Sequence, residues 1–567
     1  MHTATTMGVP LRAVTVAALA GCGLLIVVYR VRSPAYLVRV FAMAWSAQLL
    51  AWLLWTTLVY PHFTSPLRHL PTPPGAHWLF GHGPKILAAN PGGITTVPHQ
   101  GLIRYFFFFN RERVVVTSPK ALAEVLVTKN YLFPKPDAVR TSLGRVLGYG
   151  ILLAEGDEHK IQRKNLLPAF HFRHVKGLYP TFWRKARELL DAMEETVRAG
   201  GDEGAVLEVN SWASRCTLDI IGVAGMGVDF GAIQDENNPL ASTYINLSTP
   251  NRQAKILMIM GMVLPGWLIS HLPLKRNDEI NAAAQRIRGV CRDLIVKKRK
   301  RLAGKEPLDP DIISVALESG LFTDEQLVDQ LMTFLAAGHD TTASALTWAL
   351  YLMTRHPEMQ KRLRDEVRGA LPSPGTDADL SSADIDRLPF LNAFCSEVLR
   401  VFSPVPQTIR EAACDTTIQG QFIPRGTRIM LSPWGTNVAP GLWGDDAAEF
   451  KPERWLSSSA AAAASAGGGG GGEGGGGTGD GSGVSIGSGG AESNYAFMTF
   501  LHGPRSCIGA AFARGELACL LAACVGRFEY ELADEAMADE RNIKLKAAVT
   551  ARPAYGMPLR TRVVEGW

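Results

Sequence analysis

Apolar and polar positions along the chain predict a mainly α-helical protein. Two apolar runs without charged residues, residues 13–29 and 40–60, open the sequence. Apolar residues then recur at helical spacing over residues 180–198, 277–302, 323–355, 357–371 and 390–401. Strand patterns are few and short, at residues 113–117, 416–422 and 428–431. We therefore expect a mainly α fold with small β-sheets and no repeated βαβ unit.

The two N-terminal runs predict a membrane anchor. The second run is long enough to cross a bilayer, and the first is borderline. A cleaved signal peptide is the alternative for the first run, but the second run directly behind it favours retention. Arg30, Arg32 and Arg39 lie between the runs and favour the cytosolic side. That preference suits one crossing by the first run, with the second run embedded; two full crossings are the alternative.

Composition divides the chain further. We expect residues 1–62 to form the anchor, residues 63–78, with their stacked prolines, a stiff hinge, and residues 79–567 the catalytic domain. Within that domain, the Gly-, Ser- and Ala-rich residues 457–493 predict a flexible insertion. A phosphate-binding loop is the alternative there, but no Lys-Ser or Lys-Thr pair accompanies the glycines.

Charge and cysteine content exclude some classes of protein. The net charge of +5 suits an acidic partner face or an anionic membrane and does not indicate nucleic-acid binding. The basic run at residues 297–301 predicts a solvated surface turn, with membrane or reductase contact as the alternative. The eight cysteines are scattered along the chain, which is not a secreted disulfide framework. We expect a reduced, cytosol-facing catalytic domain.

The string FLHGPRSCIG, Phe500 to Gly509, carries the densest chemical signal. A thiolate offered to a metal needs backbone N–H groups aimed at its sulfur, and Gly503 and Gly509 let the chain turn tightly around Cys507. Arg505 can pair with a carboxylate of a bound cofactor, and Phe500 can pack against a flat ring. A buried, inert cysteine in a Gly/Pro turn is the alternative.

A second signal, AGHDTT from Ala337 to Thr342, lies midway along a long helical pattern. Glycine, an acid and two hydroxyls are poor helix formers, so their position in mid-helix needs a reason. Gly338 would let a flat macrocycle approach the backbone, and threonine can bond back to a carbonyl and open the helix locally. A plain kinked core helix is the alternative, and His339 is expected to fill space beside the cofactor.

An acid and a base three residues apart, Glu397 and Arg400, share one helical face among the apolar residues Phe394 and Val398. That setting predicts burial, and a buried ion pair needs further partners. Arg454, within Pro452-Glu453-Arg454-Trp455, is the candidate third member. An ordinary surface ion pair is the alternative.

These strings, in this order, resemble the motifs of cytochrome P450 over about residues 71–567. The resemblance implies the cytochrome P450 fold behind the N-terminal membrane segment or segments, and haem b with Cys507 as its axial thiolate ligand. It implies that Asp340 passes protons inward and that Thr341 hydrogen-bonds dioxygen. It also implies a structural role for Glu397, Arg400 and Arg454.

The resemblance implies further residues at the cofactor. Those at the ring are Ala337, Gly338, Phe500 and Gly509. Those expected at the propionates are His159, Arg163, Arg410 and Arg505. His159 stands where the family commonly has tryptophan. The candidate walls of an apolar substrate pocket are residues 143–153, Ala336 with Ala337, and residues 405–408.

As a cytochrome P450 monooxygenase, the chain would insert one oxygen atom of O2 into a lipophilic small molecule. NADPH–cytochrome P450 reductase, a separate chain, would supply the electrons at the endoplasmic reticulum membrane, with the catalytic domain facing the cytosol. The sequence resembles filamentous-fungal members, which suggests a secondary-metabolite intermediate as substrate. The alternatives are a fatty-acid or xenobiotic hydroxylase, an O2-independent isomerase or dehydratase, and a haem sensor or carrier. Asp340 and Thr341 argue against the last two.

Overall fold

The structure is a computed structural model that describes residues 11–29, 33–88, 101–248, 253, 256–257, 260–261, 266–306, 311–376, 378–456, 489–545 and 549–567. Arg30, Arg32 and most of the predicted insertion, residues 457–488, lie outside the described residues. The chain divides into two compact units. The first comprises Met1–Pro134 and Ile409–Leu431, and the second comprises Lys135–Thr408 and Ser432–Trp567. The expected boundaries at residues 62 and 78 both fall inside the first unit and stay a prediction.

Helices make up most of the described structure. In chain order they are α1 (Leu11–Tyr29), α2 (Pro34–Leu54), α3 (Gly83–Ala88), α4 (Pro119–Ala123), α5 (Asp137–Leu147), α6 (Gly156–Leu166), α7 (Phe172–Lys176), α8 (Tyr179–Ala199), α9 (Val209–Ile220), α10 (Pro239–Ser248), α11 (Gly266–Ser270), α12 (Lys275–Ala303), α13 (Ile312–Glu318), α14 (Asp324–Arg355), α15 (Pro357–Ala370), α16 (Ser382–Asp386), α17 (Pro389–Val401), α18 (Pro433–Thr436), α19 (Pro440–Trp443) and α20 (Ala510–Arg527).

The strands are short. They are β1 (Leu102–Phe106), β2 (Glu112–Val116), β3 (Ala205–Glu208), β4 (Thr408–Glu411), β5 (Thr416–Ile418), β6 (Gln421–Ile423), β7 (Arg428–Leu431), β8 (Phe528–Leu532) and β9 (Pro558–Val563). They form a four-stranded sheet in the order β1-β2-β7-β4, a three-stranded sheet β3-β9-β8 and the hairpin β5-β6. The expected mainly α fold with small sheets is confirmed.

Both N-terminal apolar runs are helical. α2 continues through a π-helical segment, Trp55–Thr64, and the combined helix Pro34–Thr64, in which an 18-residue window has a mean hydropathy of 1.6, is long and apolar enough to cross a membrane. The apolar part of α1, Arg12–Val28, is shorter. Nε1 of Trp45 donates to Oγ1 of Thr15 at 3.2 Å, and Sγ of Cys22 lies 3.7 Å from the carbonyl oxygen of Leu37. These two contacts make α1 and α2 an antiparallel pair.

The four-stranded sheet belongs to the first unit, apart from the first residue of β4. β1 and β2 are antiparallel, whereas β2 and β7 run parallel with Val115 opposite Met430. Ile103, Tyr105, Val115 and Met430 form its apolar face. Side chains that alternate across a strand bury one face in this way.

α14 is the central helix of the second unit. Its start is a capping box, in which Thr323 and Gln326 bond each other's backbone N–H groups; such a box satisfies otherwise unpaired N–H groups. From Leu327 to Phe334 and again from Thr342 to Met353 nearly every side chain is buried. α8, α9 and α20 contribute to the same large apolar cluster.

Two expectations need correction. Residues 416–422 were expected to form one strand, but they form β5 and β6 with Gln419 and Gly420 between them. Both turn residues have positive φ angles, 50° and 78°, which suits a tight hairpin turn. The basic run 297–301 is not a surface turn, since it continues α12, and the ammonium group of buried Lys298 contacts Asp311 at 2.5 Å and Ser314 at 2.9 Å.

Candidate active site

The Cys507 loop ends where α20 begins. The backbone N–H of Cys507 donates to the carbonyl oxygen of Phe500 at 2.8 Å, which closes the loop. Gly503 has a φ of 74°, a conformation that favours glycine, as expected. Gly509 differs, because its φ of −92° suits any residue, and a Cβ there would meet only the Phe170 ring, at 3.7 Å.

Desolvation by the surrounding protein is the largest effect on the thiol of Cys507 and raises its pKa above the ordinary value. The nearby backbone N–H of Gly509 and the Arg163 guanidinium have smaller effects that lower the pKa. The residue nevertheless keeps an exposed surface. N–H donors and a nearby cation stabilise a thiolate.

Arg163 anchors this loop from α6. Its guanidinium donates to Ser506 twice, from Nη1 to the carbonyl oxygen at 2.7 Å and from Nη2 to Oγ at 3.1 Å. His159 lies one turn earlier on α6 and is buried. Arg163 is thus placed beside the cysteine, and the loop geometry depends on it.

Arg505 is buried and forms an ion pair with Glu155. The same carboxylate accepts from the backbone N–H of Lys135 at 2.9 Å. The sequence predicted a carboxylate partner for Arg505 but attributed it to the cofactor, and Glu155 was not foreseen as a member of the site. Arg410 is buried in β4 of the first unit, where Nη1 donates to the carbonyl oxygen of Ile409 at 2.9 Å.

Phe500 packs within the large apolar cluster. The guanidinium of Arg514, in α20, lies 5.2 Å from the centroid of its ring, a cation–π distance. Phe500 therefore packs against the apolar cluster at the start of the cysteine loop, and its packing against a flat ring stays a prediction.

The middle of α14 contrasts with the buried stretches on either side of it. Ala337 is exposed and Thr341, one turn later, is partly exposed, although the helix is otherwise largely buried. Oγ1 of Thr341 donates to the carbonyl oxygen of Ala337 at 2.8 Å. This is the expected back-bond, but the helix continues unbroken to Arg355. A narrow exposed strip therefore interrupts an otherwise apolar helix.

Gly338 and His339 have neighbours that the sequence did not reveal. A Cβ at Gly338 would lie 2.9 Å from Cδ1 of Ile221. Glycine at this position therefore leaves the room that the Ile221 side chain occupies. Nδ1 of buried His339 donates to the carbonyl oxygen of Leu335 at 2.6 Å, and its ring lies 4.7 Å from that of Tyr244. Burial lowers the pKa of His339 to about 4, so the ring is neutral at physiological pH and fills space.

A buried acid lies where α14 and α20 pack together. Glu516, in the second turn of α20, is fully buried, and burial raises the pKa of its carboxyl well above the ordinary value. Among the described residues, neither of its carboxylate oxygens nor the hydroxyl of Thr342 on α14 has a hydrogen-bond partner. The packing of the two helices brings together two motifs that are far apart in sequence.

Asp340 is held by residues near the C-terminus. Oγ1 of Thr550 donates to Oδ2 of Asp340 at 2.5 Å, and Arg552 forms an ion pair with Oδ1. Sequence reasoning missed both partners, because neither belongs to a motif in the string Thr550-Ala551-Arg552-Pro553. Only the need of a largely buried acid for a cation could have indicated them.

The predicted ion cluster is present and buried. Both side chains of the Glu397–Arg400 pair are fully buried, and Nε of Arg454 donates to Oε1 of Glu397 at 2.9 Å. Asn437 links this cluster to the chain that leads into the cysteine loop. Its Nδ2 donates to the carbonyl oxygen of Arg400 at 3.0 Å, and its Oδ1 accepts from the N–H of Met498 at 2.7 Å.

The residues around Cys507 fit a haem-thiolate group. The donor set has a cysteine with an exposed surface, a backbone N–H near its sulfur and a nearby guanidinium. On α14, the strip from Ala337 to Thr341 supplies a small side chain and a hydroxyl without charge. A thiolate ligand from Cys507 would suit haem that activates oxygen.

Comparisons with known proteins agree. A family model described as Cytochrome P450 matches residues 71–557. Cytochrome P450 monooxygenase sphH of Aspergillus fumigatus is 44% identical and covers 94% of each chain. Cytochrome P450 monooxygenase FUM15 of Gibberella moniliformis is 42% identical over 93% of this chain and 94% of its own. The crystal structure of the cytochrome P450DA heme domain has the same fold, with a TM-score of 0.68 at 22% identity over 88% of this chain and 98% of that one.

The fold and the cysteine loop together define a haem-thiolate class of protein, and the chain belongs to the cytochrome P450 family. It is a cytochrome P450 monooxygenase, similar to monooxygenases of filamentous fungi. The family implies a haem-thiolate cofactor, dioxygen and a redox partner. The N-terminal helix is compatible with a membrane anchor.

Proposed function

We propose that this enzyme binds haem b through the thiolate of Cys507 and inserts one oxygen atom of O2 into a lipophilic small molecule. The observation that carries the proposal is the loop itself, which the 2.8 Å bond from the N–H of Cys507 to the carbonyl oxygen of Phe500 closes and which leaves the cysteine with exposed surface. When bound, haem supplies an iron that activates dioxygen with two electrons and two protons.

The residues on α14 supply protons and orient them. Because the hydroxyl hydrogen of Thr341 is donated to Ala337, the lone pairs of its oxygen are left to accept a hydrogen bond and so to orient a water molecule. Asp340, the preceding residue, takes up protons from solvent and passes them inward to that water. General acid–base groups of this kind act through a positioned hydrogen bond.

Cationic side chains hold the propionates of the cofactor. His159 and Arg163 lie one turn apart on α6, and Arg163 also orients the loop through Ser506. Arg505, whose charge is partly neutralised by Glu155, completes the proposed set in the second unit. Ala337, Gly338 and Phe500 pack against the ring. The buried ion cluster of Glu397, Arg400 and Arg454 stabilises the chain that leads into the cysteine loop.

The substrate is apolar and comes from a fungal secondary-metabolite pathway. The apolar character of residues 143–153 and of the Ala336 and Ala337 surface supports a lipophilic molecule. The similarity to monooxygenases of Aspergillus and Gibberella supports the fungal assignment. NADPH–cytochrome P450 reductase delivers the electrons, and the enzyme is anchored in the endoplasmic reticulum membrane with its catalytic domain facing the cytosol.

A ligand test uses the reduced protein with carbon monoxide. Wild type is expected to give the red-shifted absorption of thiolate-ligated haem, and Cys507→Ser is expected to lose it. Cys414→Ser, at another exposed cysteine, is the matched control and should behave like wild type. A Cys507→Ser protein with an unchanged spectrum would contradict the assignment of the ligand.

A second test addresses the substrate. Deletion of the gene in its native host is expected to remove an oxidised lipophilic product and to accumulate its less oxidised precursor. That precursor, given to purified enzyme with reductase, NADPH and O2, should return the product. Turnover without NADPH and O2 would instead indicate an isomerase or dehydratase.

A further inference from the structure

The chain around Ala551 lies along one face of α14. The backbone N–H of Ala551 donates to the carbonyl oxygen of Pro404 at 2.8 Å. Its own carbonyl oxygen accepts from Oγ of Ser344 at 2.8 Å and from Nε1 of Trp348 at 2.9 Å. Ser344 and Trp348 are one turn apart, and Asp340 precedes Ser344 by one more turn on the same face. Three residues, Pro404, Ser344 and Trp348, therefore fix the segment next to Asp340.

The two neighbours of Ala551 both reach Asp340. Thr550 donates to Oδ2 and Arg552 is paired with Oδ1, so side chains of this segment engage both carboxylate oxygens. The side chain of Arg552 is 5% exposed and that of Asp340 is 18% exposed. A pair so shielded from water is screened far less than a surface pair.

Two other titratable groups interact with Arg552. The charge of Glu208, at the end of β3, raises the pKa of the guanidinium, whereas burial is the larger effect and lowers it to about 10. Arg552 is thus protonated at neutral pH. His339 on α14 is neutral there, since burial, with a smaller contribution from the charge of Arg552, lowers its pKa to about 4. The guanidinium of Arg552 therefore presents a positive charge to Asp340 at neutral pH.

We propose that Arg552 is the positioning residue of the proton relay: it holds Asp340 ionised and turned toward the C-terminal segment, and the relay operates when this ion pair opens. The inference rests on the proposed function, in which Asp340 passes protons inward beside Thr341. A carboxylate with both oxygens engaged is a weak base. Once released, it takes a proton from solvent and gives that same proton up inward, to water that the hydroxyl of Thr341 orients, which regenerates the carboxylate.

The pair is tested by infrared spectroscopy of the full-length, haem-loaded protein as a function of pH. Subtracting the spectrum of Asp340→Asn isolates the protonated-acid band of Asp340. In Arg552→Gln its midpoint is expected about one to three pH units higher, because an adjacent cation lowers the pKa of an acid by that amount. Arg552→Lys keeps the positive charge, so the midpoint of this variant should lie close to that of wild type.

The matched control is Arg562→Gln, which removes an exposed pair with Glu531 from the same end of the chain. Its midpoint should equal that of wild type. If Arg552→Gln does not accumulate as folded protein, Thr550→Val removes the second hold and should produce a smaller shift in the same direction. Equal midpoints in wild type and in the folded variants would overturn the proposal.

The role of the pair is tested by NADPH oxidation with purified reductase and dioxygen, measured over pH without added substrate. In Arg552→Gln, the rate of NADPH oxidation is expected to change with pH around the shifted midpoint that infrared spectroscopy gives. Asp340→Asn should lack this pH-dependent change in rate. An infrared shift without a shift of the profile would overturn the relay role. A wrong thiolate assignment would appear separately, in the carbon monoxide spectrum of Cys507→Ser, on which the infrared result does not depend.

Discussion

Glu397 binds Arg400 through both carboxylate oxygens, with Nε donating to Oε2 at 2.8 Å and Nη2 donating to Oε1 at 2.7 Å. Neither side chain reaches the surface. The remaining donors of Arg400 reach the carbonyl oxygens of Asn437, Ala447 and Glu449 at 2.6–2.8 Å. The pair therefore joins α17 to the irregular chain that follows α18.

Glu397→Gln is expected to destabilise the protein strongly, because it leaves the buried guanidinium of Arg400 without a carboxylate and leaves that of Arg454 with Asp446 alone, at 3.4 Å. Breaking a buried pair in this way costs about 3–5 kcal/mol. The midpoint of thermal unfolding at a fixed scan rate measures the effect. Glu453→Gln, which removes an exposed pair with Arg362, is the control and should change stability by less than about 1 kcal/mol. Equal midpoints for the two variants would contradict the expected asymmetry.

Gly338→Ala is expected to destabilise the protein through overpacking against Ile221. The added Cβ would lie 2.9 Å from both Cδ1 and Cγ1 of that residue, and extra volume in a packed core costs about 1–3 kcal/mol. Thermal unfolding measures the loss, and adding Ile221→Val should recover part of it. Gly369→Ala, on the open side of α15 with nothing within 4 Å, should instead be neutral or stabilise by up to about 1 kcal/mol.

His339→Gln is expected to reduce the sensitivity of the fold to acid. The folded pKa of about 4 lies below the ordinary value of 6.5, so the unfolded chain binds the proton first as pH falls. Stability is therefore full above pH 6.5 and is lost between 6.5 and about 4. At about 1.4 kcal/mol per pKa unit, the loss is about 3 kcal/mol at most.

Unfolding midpoints of wild type and His339→Gln across that pH range test this prediction. The variant should lose less stability than wild type as pH falls. His271→Gln, at an exposed histidine, is the control and should follow wild type. Parallel curves for all three proteins would contradict a role for His339 in the acid response.

The sequence predicted the elements whose pattern is local. The long helices match closely, and Thr323 was correctly placed at the start of α14. The hairpin β5-β6 was read as one strand because Gln419 carries no strong turn signal. β8 and β9 were missed because their pairing is set by residues distant in sequence.

The site shows the same division. Cys507 and the Glu397 cluster could be predicted, since fixed spacing along one loop or one helix brings their members together. Lys298 lies in a run of five basic residues, and only tertiary contact with Asp311 distinguishes it as buried. The contacts that Thr550 and Arg552 make with the Asp340 carboxylate could not be predicted either, because these two residues lie about 210 positions further along the chain.

Gly489 lies against a tryptophan pair, where a Cβ would approach Trp443 at 2.8 Å and Trp455 at 3.2 Å. Leu456, which directly follows Trp455 in the chain, packs on the same cluster. The two ends of the glycine-rich stretch therefore meet at one fixed pair of rings. The entropic cost of closing a loop grows only slowly with its length, so the number of residues between these ends can change in evolution at little cost in stability. For the same reason, a reporter peptide could be inserted there without moving the two tryptophan rings.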